Sequence, residues 1–261
     1  MIFIIGEIWN REDEAAGQSF SGAAGRLLKK SLSAVGIRFE DCYATSVFNL
    51  RPEPQDVKSL CGPRDSAIPG LPALATGKYV QQEYGPELSR LYDELSRLKP
   101  TLILALGSTA CWALRLGTSV NKIRGAATPS LWGKVFPTIN PGAVFRDHSL
   151  RPVLFADLQK VAAEATFSEI RRPQREIWVE PSLDDLTLFY DTYIRDSKEL
   201  SIDIETAGNY ITCVGFAPTP KVALVVPFSL SNGLSYWPTL REEVAGYLNL
   251  FYIKKIVKII S

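Results

Sequence analysis

Three short segments of the chain carry side chains suited to chemistry on a nucleotide. Gly6-Glu7 follows an apolar run, and a glycine at the end of a buried strand lets a ligand approach the backbone closely. Phe20 precedes small residues that lead into a helix, an arrangement that suits stacking of a planar base near helix amides. Asp203 and Glu205 are two residues apart, so on a strand both carboxylates project from one face and can share a divalent cation.

Each pattern also has an ordinary structural explanation. A core aromatic would account for Phe20 equally well, and acidic residues often alternate along an exposed strand face. The sequence around each site therefore has to supply further support.

Short apolar runs that suit buried parallel strands recur in the first part of the chain, with helix-like stretches between them. The runs are Ile2–Ile5, Tyr43–Phe48, Leu102–Leu106 and Lys134–Pro137. This alternation predicts an α/β fold. A long loop rich in proline and glycine covers residues 53–80, and a helix over residues 150–166 closes the first domain.

The second part of the chain has a different pattern. Residues 168–178 are charged and predict a linker between a domain at 1–167 and another at 179–261. Ser182-x-x-Asp185 predicts the start of a helix with a capping box. Three strand-like runs separated by turn residues then predict an antiparallel meander. The runs are Leu200–Ile204, Tyr210–Phe216 and Val222–Phe228.

Composition limits the partners and cofactors. A net charge of +1 gives no global basic field, so nucleic-acid contacts have to come from local clusters such as Arg26-Lys29-Lys30, although such clusters are more often plain solvated surface. The four cysteines are scattered and there is one histidine, His148, which argues against a zinc site or a disulfide framework. A reducing cytoplasmic setting and no membrane partner are expected, because no apolar run reaches the roughly 18 to 20 residues of a membrane span.

Four segments, in order after Gly6-Glu7, resemble motifs of the uracil-DNA glycosylase superfamily, and most of all its thermophilic-type branch. The segments are Gln18–Leu28, Tyr43–Pro52, Leu104–Ala110 and Val135–Arg146. The resemblance implies a three-layer α/β/α sandwich around a four-stranded parallel sheet. It also implies hydrolysis of the N-glycosidic bond of a uracil flipped from DNA, so the implied partner is single-stranded or uracil-containing DNA.

The resemblance also implies roles for individual residues. The implied catalytic residues are Glu7, Asn10 and Asn140; the base-binding residues are Phe20, Ser46 and Asn49; the phosphate contacts are Gly107, Ser108 and Arg146. Asn49 is an alternative reader of the base, although strand alternation would send it to the face opposite Ser46.

Several positions depart from the pattern of this branch. Trp9-Asn10 replaces Pro-Gly in the water-positioning loop, Ser46 replaces a uracil-reading asparagine, and Asn140 replaces a histidine. An amide can still donate to a departing uracil anion, whereas a hydroxyl reaches less far than an amide. The iron–sulfur cluster of the branch is not expected, because Leu50 replaces its cysteine before Arg-Pro and no cysteine pair precedes the first strand.

The segment around Asp203 and Glu205 resembles the first motif of the proofreading 3′–5′ exonucleases of family A DNA polymerases. Some bacteriophage polymerases carry a glycosylase-like domain ahead of this exonuclease. The resemblance implies a partial ribonuclease H-like α/β domain and a polymerase partner. Mg²⁺ is expected to bind weakly at Asp203 and Glu205, without exonuclease activity, because the only later acidic residues are Glu242 and Glu243.

Three functions stay open at this point. The protein is a divergent glycosylase, a non-catalytic DNA-holding module of a phage polymerase, or a scaffold that contacts replication proteins through the loop at 53–80. The apolar tail Phe251–Ile260 is expected to need a partner or a further domain to cover it.

Overall fold

The computed structural model describes residues 1–172, 174–237 and 239, in two compact units that divide between Ile170 and Arg171. This division falls inside the segment expected to be a linker, 168–178, but the last three residues of that segment form a strand. The tail Phe251–Ile260 lies outside the described residues, as do Glu242 and Glu243. In the part of the chain that is described, no helix is long and apolar enough to cross a membrane.

The first unit is built on a twisted sheet of mostly parallel strands. Its strands are β1 (Ile2–Ile8), β2 (Tyr43–Phe48), β3 (Cys61–Gly62), β4 (Tyr79–Val80), β5 (Leu102–Leu106), β6 (Thr128–Ser130) and β7 (Gly133–Thr138). The main sheet has the order β2-β1-β5-β7-β6, and β6 alone is antiparallel to its neighbour. The four predicted parallel strands are therefore present, and a short fifth strand extends the sheet. β1 also runs through Gly6-Glu7 to Ile8 and does not end before them.

Helices cover both faces of this sheet. They are α1 (Arg11–Ala16), α2 (Ala23–Ala34), α3 (Gly85–Leu98), α4 (Ser108–Ala113), α5 (Val120–Ile123) and α6 (Leu150–Glu164). Alternate residues of β1 enter two separate cores: Ile4 packs with α2 and α6, whereas Ile5 packs with α3 and α4. This is the three-layer arrangement that a sheet with two apolar faces requires.

The loop at 53–80 is folded onto the first unit. β3 and β4 pair as a small antiparallel ribbon, and Leu60, Leu74 and Val80 are buried in the core. Trp112 on α4 donates its indole N–H to the Pro72 carbonyl at 2.8 Å. Much of this loop therefore serves to cover the core.

The second unit forms its own small sheet and core. Its elements are β8 (Glu176–Trp178), α7 (Leu183–Phe189), β9 (Ser201–Ala207), β10 (Tyr210–Thr219) and β11 (Val222–Pro227), and its strand order is β8-β11-β10-β9. Strands β9, β10 and β11 pair antiparallel in succession, which is the predicted meander. The predicted capping box is present as well, since Ser182 Oγ accepts from the Asp185 amide at 3.1 Å.

Candidate active site

The carboxyl edge of the main sheet collects most of the predicted site residues. Gly6 on β1 is in register with Ser46 on β2, and both lie near the ends of their strands. Gly107 follows β5 directly, and Asn140 follows β7 after one intervening residue. Parallel strands end at the same edge, where α/β proteins place their ligands. Four segments that are distant in sequence therefore meet along this edge of the sheet, which is called the rim below.

Phe20 is held over this rim in a strained backbone conformation. Its φ is 65°, in the left-handed region that residues with a side chain rarely adopt. Two glycines make room for it: a Cβ on Gly25 would lie 2.0 Å from the Phe20 carbonyl oxygen, and a Cβ on Gly6 would lie 2.9 Å from the tip of the Phe20 ring. Such strain costs about 1–3 kcal/mol and persists where the surroundings enforce it, which is common at functional sites.

A chain of polar side chains lies next to the Phe20 ring. Trp9 donates its indole N–H to Ser19 Oγ at 2.9 Å, and Ser19 Oγ lies 2.8 Å from Ser46 Oγ. Ser19 and Ser46 are both buried. Sequence reasoning singled out Ser46 but missed Ser19 and the role of Trp9, because no spacing rule connects hydroxyls that meet only in the folded chain.

Asn49 belongs to the same polar group, contrary to the expectation from strand alternation. β2 ends at Phe48, so alternation stops there and the Asn49 side chain folds back along the strand. Its Oδ1 accepts from the Ser46 amide at 3.1 Å, and its Nδ2 donates to Thr45 Oγ1 at 3.2 Å. Asn49 therefore helps to shape the turn that carries Ser46.

Two side chains on α3 hold this turn in place. Arg90 donates to the Ser46 carbonyl at 2.8 Å and to Thr45 Oγ1 at 3.0 Å. Glu87 accepts from the Asn49 amide at 2.8 Å and is itself paired with Arg90 at 3.1 Å. Hydrogen bonds that involve a charged group are stronger than neutral ones, so the end of β2 is firmly positioned.

Asn10 has a structural role in the observed fold. Its Oδ1 accepts from the Asp13 amide at 2.8 Å, and Asp13 accepts in return from the Asn10 amide at 3.0 Å, so the pair forms the capping box of α1. Asp13 also accepts from the Ser21 amide at 2.7 Å, which ties α1 to the segment that carries Phe20. The catalytic role expected for Asn10 remains a prediction.

Asn140 and Glu7 supply further polar groups at this edge of the sheet. Asn140 Oδ1 caps a 3₁₀ turn by accepting from the Gly142 amide at 2.9 Å, and its Nδ2 donates to no partner in the described residues. Gly107, with a φ of 88°, brings the backbone close to Asn140, since a Cβ there would lie 3.1 Å from Asn140 Cβ. Glu7 Oε1 accepts from Thr109 Oγ1 at 2.5 Å.

The predicted phosphate contacts differ in their availability. Ser108 Oγ already accepts from the Val120 amide at 3.2 Å, whereas Arg146 is exposed at the end of the turn that follows Asn140. Arg146 has no acidic partner among the residues that the structure describes, so it offers a cation beside the rim.

Asp203 and Glu205 lie on an exposed strand of the second unit. They oppose Gly215 and Cys213 on β10, and both carboxylates project from the same face of β9, as the spacing predicted. Across the residues described, no group of three or more metal-binding side chains is present. Within that part of the chain, the pair has no further ligand of the kind that holds a divalent cation firmly.

A cluster held by four thiolates needs four cysteines together, and the first unit contains three. Cys42 precedes β2, Cys61 lies on β3, Cys111 is buried in α4, and Cys213 belongs to the second unit. Burial raises the pKa of the Cys42 thiol to about 11 and that of Cys111 to about 12, so both favour the protonated thiol. The absence of a cluster stays a prediction.

Comparisons with known proteins give matches over the first unit. The sequence model of the Uracil DNA glycosylase superfamily matches residues 1–163. The type-4 uracil-DNA glycosylase of Thermotoga maritima is 31% identical over 164 residues, which cover 61% of this chain and 74% of that protein.

Two further type-4 uracil-DNA glycosylases show the same extent of similarity. Those of Archaeoglobus fulgidus and Pyrobaculum aerophilum are 27% and 28% identical, over 61% and 60% of this chain and 74% of each relative. The family match ends at residue 163, inside the first unit. Through this unit, the chain belongs to the uracil-DNA glycosylase superfamily and is similar to its type-4 members.

Proposed function

We propose that the first unit hydrolyses the N-glycosidic bond of uracil flipped out of DNA. The observation that carries this proposal is the Nδ2 amide of Asn140, which has no partner among the described residues. It lies on the same rim as Phe20, whose backbone is strained, and the buried hydroxyl of Ser46. A stacking ring, a polar group for the base edge and a donor for the leaving group are the parts that such chemistry needs.

The reaction breaks the bond between the deoxyribose C1′ and N1 of uracil, and its electron pair leaves with the base. Phe20 stacks on the flipped base, and Asn140 Nδ2 donates a hydrogen bond to the negative charge that develops on it. Glu7 Oε1 is held by Thr109, which leaves Oε2 to orient a water molecule toward C1′. Addition of water releases uracil and an abasic site, and the proton of the water neutralises the departing anion.

Arg146 supplies the contact with the DNA backbone in this proposal, because its guanidinium is exposed beside the Asn140 turn. Phosphate contacts release counterions, so binding weakens as salt rises.

A second candidate function is that of a DNA-holding module without catalysis. Ser46 in place of asparagine and the engagement of Asn10 as a helix cap favour it. In this reading, the second unit is a partial exonuclease-like domain beside a phage polymerase, supported by its meander and by the two carboxylates on one face of β9. The family match does not extend to that unit, and the polymerase partner stays a prediction.

Base release from a single-stranded oligonucleotide with one uracil tests the first proposal. Asn140→Ala removes the amide donor without adding a charge, so the release rate is expected to fall by about 10²–10³ with DNA binding largely retained. A cytosine oligonucleotide is the control. No release at high enzyme excess, with binding intact, would establish the DNA-holding function instead.

A further inference from the structure

Asp157 on α6 is a buried carboxylate that takes no part in the chemistry proposed above. The residue is 1% exposed, and burial of a charge is unfavourable unless the charge is paired and hydrogen bonded. Arg124 supplies the pairing, because its Nη2 donates to Oδ1 at 2.7 Å and its Nε donates to Oδ2 at 3.0 Å. Two parallel hydrogen bonds fix the orientation of a carboxylate, so Asp157 presents its oxygens at defined positions.

A third hydrogen bond joins this carboxylate to the end of β7. Thr138 Oγ1 donates to Asp157 Oδ2 at 2.6 Å, a length typical of a hydrogen bond to a charged acceptor. Thr138 is the last residue of β7 and is fully buried. Its carbonyl accepts from the Gly107 amide at 2.8 Å. Thr138 is therefore held through its side chain by α6 and through its backbone by the residue that follows β5.

The backbone that carries Arg124 is attached to the same strand through its neighbour, Gly125. The Gly125 amide donates to the Pro137 carbonyl at 3.1 Å, and the Gly125 carbonyl accepts from Lys160 Nζ at 3.1 Å. A Cβ at residue 125 would lie 3.1 Å from Asp157 Oδ1, so the glycine also makes room for the carboxylate. The segment that supplies the arginine is thus tied to both β7 and α6.

The end of β7 is close to Asn140 along the chain and in space. Only the buried residue Ile139 separates Thr138 from Asn140, and consecutive Cα atoms are about 3.8 Å apart, so a shift at Thr138 reaches Asn140 within two steps. Gly107 bonds to Thr138 and also lies against Asn140, where its Cβ would be 3.1 Å from Asn140 Cβ. The contacts that hold Thr138 therefore set the place of Asn140 as well.

We propose that Asp157 is a positioning residue for Asn140. Through the Thr138 hydroxyl it fixes the end of β7, and the turn that follows then presents the Asn140 amide to the departing base. Arg124 holds the carboxylate in the orientation that this contact requires. The three side chains of Asp157, Arg124 and Thr138 are called the β7 anchor below. The inference rests on the function proposed above for the rim.

Thr138→Val is the variant that tests the β7 anchor. It removes one hydrogen bond with little change of shape, because a methyl group takes the place of the hydroxyl. The pair of Asp157 and Arg124 stays intact, so the buried charge keeps a partner. Asp157→Asn, the direct change, would leave the arginine unpaired and disturb the fold as well. Thr138→Ser keeps the hydroxyl and is the matched control.

Single-turnover release from a uracil oligonucleotide is the first readout. A displacement of about 1 Å at a catalytic group can cost about 100-fold in rate, and the loss of one hydrogen bond is expected to move the turn by less. Thr138→Val should therefore release uracil about 10-fold more slowly, whereas Thr138→Ser stays within about 2-fold of the unaltered protein. Binding of an uncleavable 2′-fluoro-uridine strand, followed by fluorescence anisotropy, should stay within about 2-fold in both variants, because the loss concerns the transition state.

Hydrogen exchange of the Gly142 amide is a second readout, and it does not require activity. This amide donates to Asn140 Oδ1 at 2.9 Å, so its exchange rate reports how firmly the Asn140 turn is held. Exchange followed by NMR should be about 10-fold faster in Thr138→Val and unchanged in Thr138→Ser. The amides of β1 and β5 should keep their rates, whereas a general loss of stability would accelerate them too.

The outcomes separate this inference from the proposed function. Equal losses in Thr138→Val and Thr138→Ser would overturn the inference. In an active protein, slower release without faster exchange at Gly142, or the reverse, would also overturn it. If the unaltered protein releases no uracil, the proposed function fails, and the exchange rates alone decide whether the β7 anchor positions Asn140. Uracil release with both readouts unchanged in Thr138→Val would overturn the inference and leave the proposed function standing.

Discussion

The substitution Gly25→Ala tests whether the site depends on the forced position of Phe20. The added Cβ would lie 2.0 Å from the Phe20 carbonyl oxygen, 2.3 Å from its carbonyl carbon and 2.6 Å from its Cα. All three are backbone atoms, so no side-chain rotation relieves the contact and the Phe20 backbone has to move by more than an ångström. Overpacking of this kind costs about 1–3 kcal/mol of the free energy of unfolding.

The catalytic effect follows from the displaced ring. Stacking of a base on an aromatic side chain contributes about 1–3 kcal/mol, so its loss lowers the rate of uracil release by about 5- to 150-fold. The measurement is single-turnover release from a uracil oligonucleotide, with thermal unfolding alongside. Gly85→Ala is the matched control, because Gly85 is helical and a Cβ there has no neighbour within 4 Å.

A double mutant decides whether the effect passes through Phe20. If Gly25 acts only by positioning the ring, Gly25→Ala adds little to the loss already caused by Phe20→Ala, because both changes remove the same stacking contact. Additive losses, or a Gly25→Ala protein as active as Gly85→Ala, would refute the reasoning.

Three further predictions concern stability, thiol reactivity and metal binding. Lys134→Met should lower the free energy of unfolding, measured in urea, by about 3–5 kcal/mol, since it leaves the partners of a buried charge unpaired. The control Lys160→Met removes a single exposed contact and should change the free energy of unfolding by less than about 1 kcal/mol. At pH 8, Cys42 in the folded protein should react with iodoacetamide about 100-fold more slowly than in the unfolded chain. The reason is that burial raises its pKa from 9.0 to about 11, so the thiolate forms only as pH rises through that range. Equal reaction rates in the two states, measured by peptide mass spectrometry, would contradict this. The double variant Asp203→Asn and Glu205→Gln should release uracil at a rate within about 2-fold of the unaltered protein. Calorimetry of the unaltered chain should show no tight Mg²⁺ binding. Mg²⁺-dependent degradation of a single strand would contradict this expectation.

The parallel strands could be predicted because strands that are buried on both faces appear in the sequence as short apolar runs. β6 could not, since Thr128–Ser130 is short and contains no apolar residue with a large side chain. The continuation of β1 through Gly6-Glu7 was missed because glycine and glutamate disfavour strands on average, and here pairing with β2 outweighs that preference.

The site was predictable only in part. The resemblance singled out Phe20, Ser46 and Asn140 as candidates, and their roles stay predictions. The structural role of Asn10 does have a sequence signal, because Asn10 stands three residues before Asp13, which is capping-box spacing. Ser19 and Arg90 had no such signal, because their contacts join segments that are distant in sequence and meet only after folding.

The contacts of Lys134 indicate where the first unit ends. Its buried ammonium donates to the carbonyl of Glu164 at 2.7 Å, to that of Phe167 at 2.5 Å and to that of Glu169 at 3.2 Å, and it is paired with the Glu164 carboxylate at 3.0 Å. The family match stops at residue 163, one residue before the first of these acceptors. A recombinant fragment cut at that point would keep the cation and discard every oxygen that binds it. For expression of the first unit alone, the stop codon therefore belongs after Ile170, where the chain has already closed around Lys134.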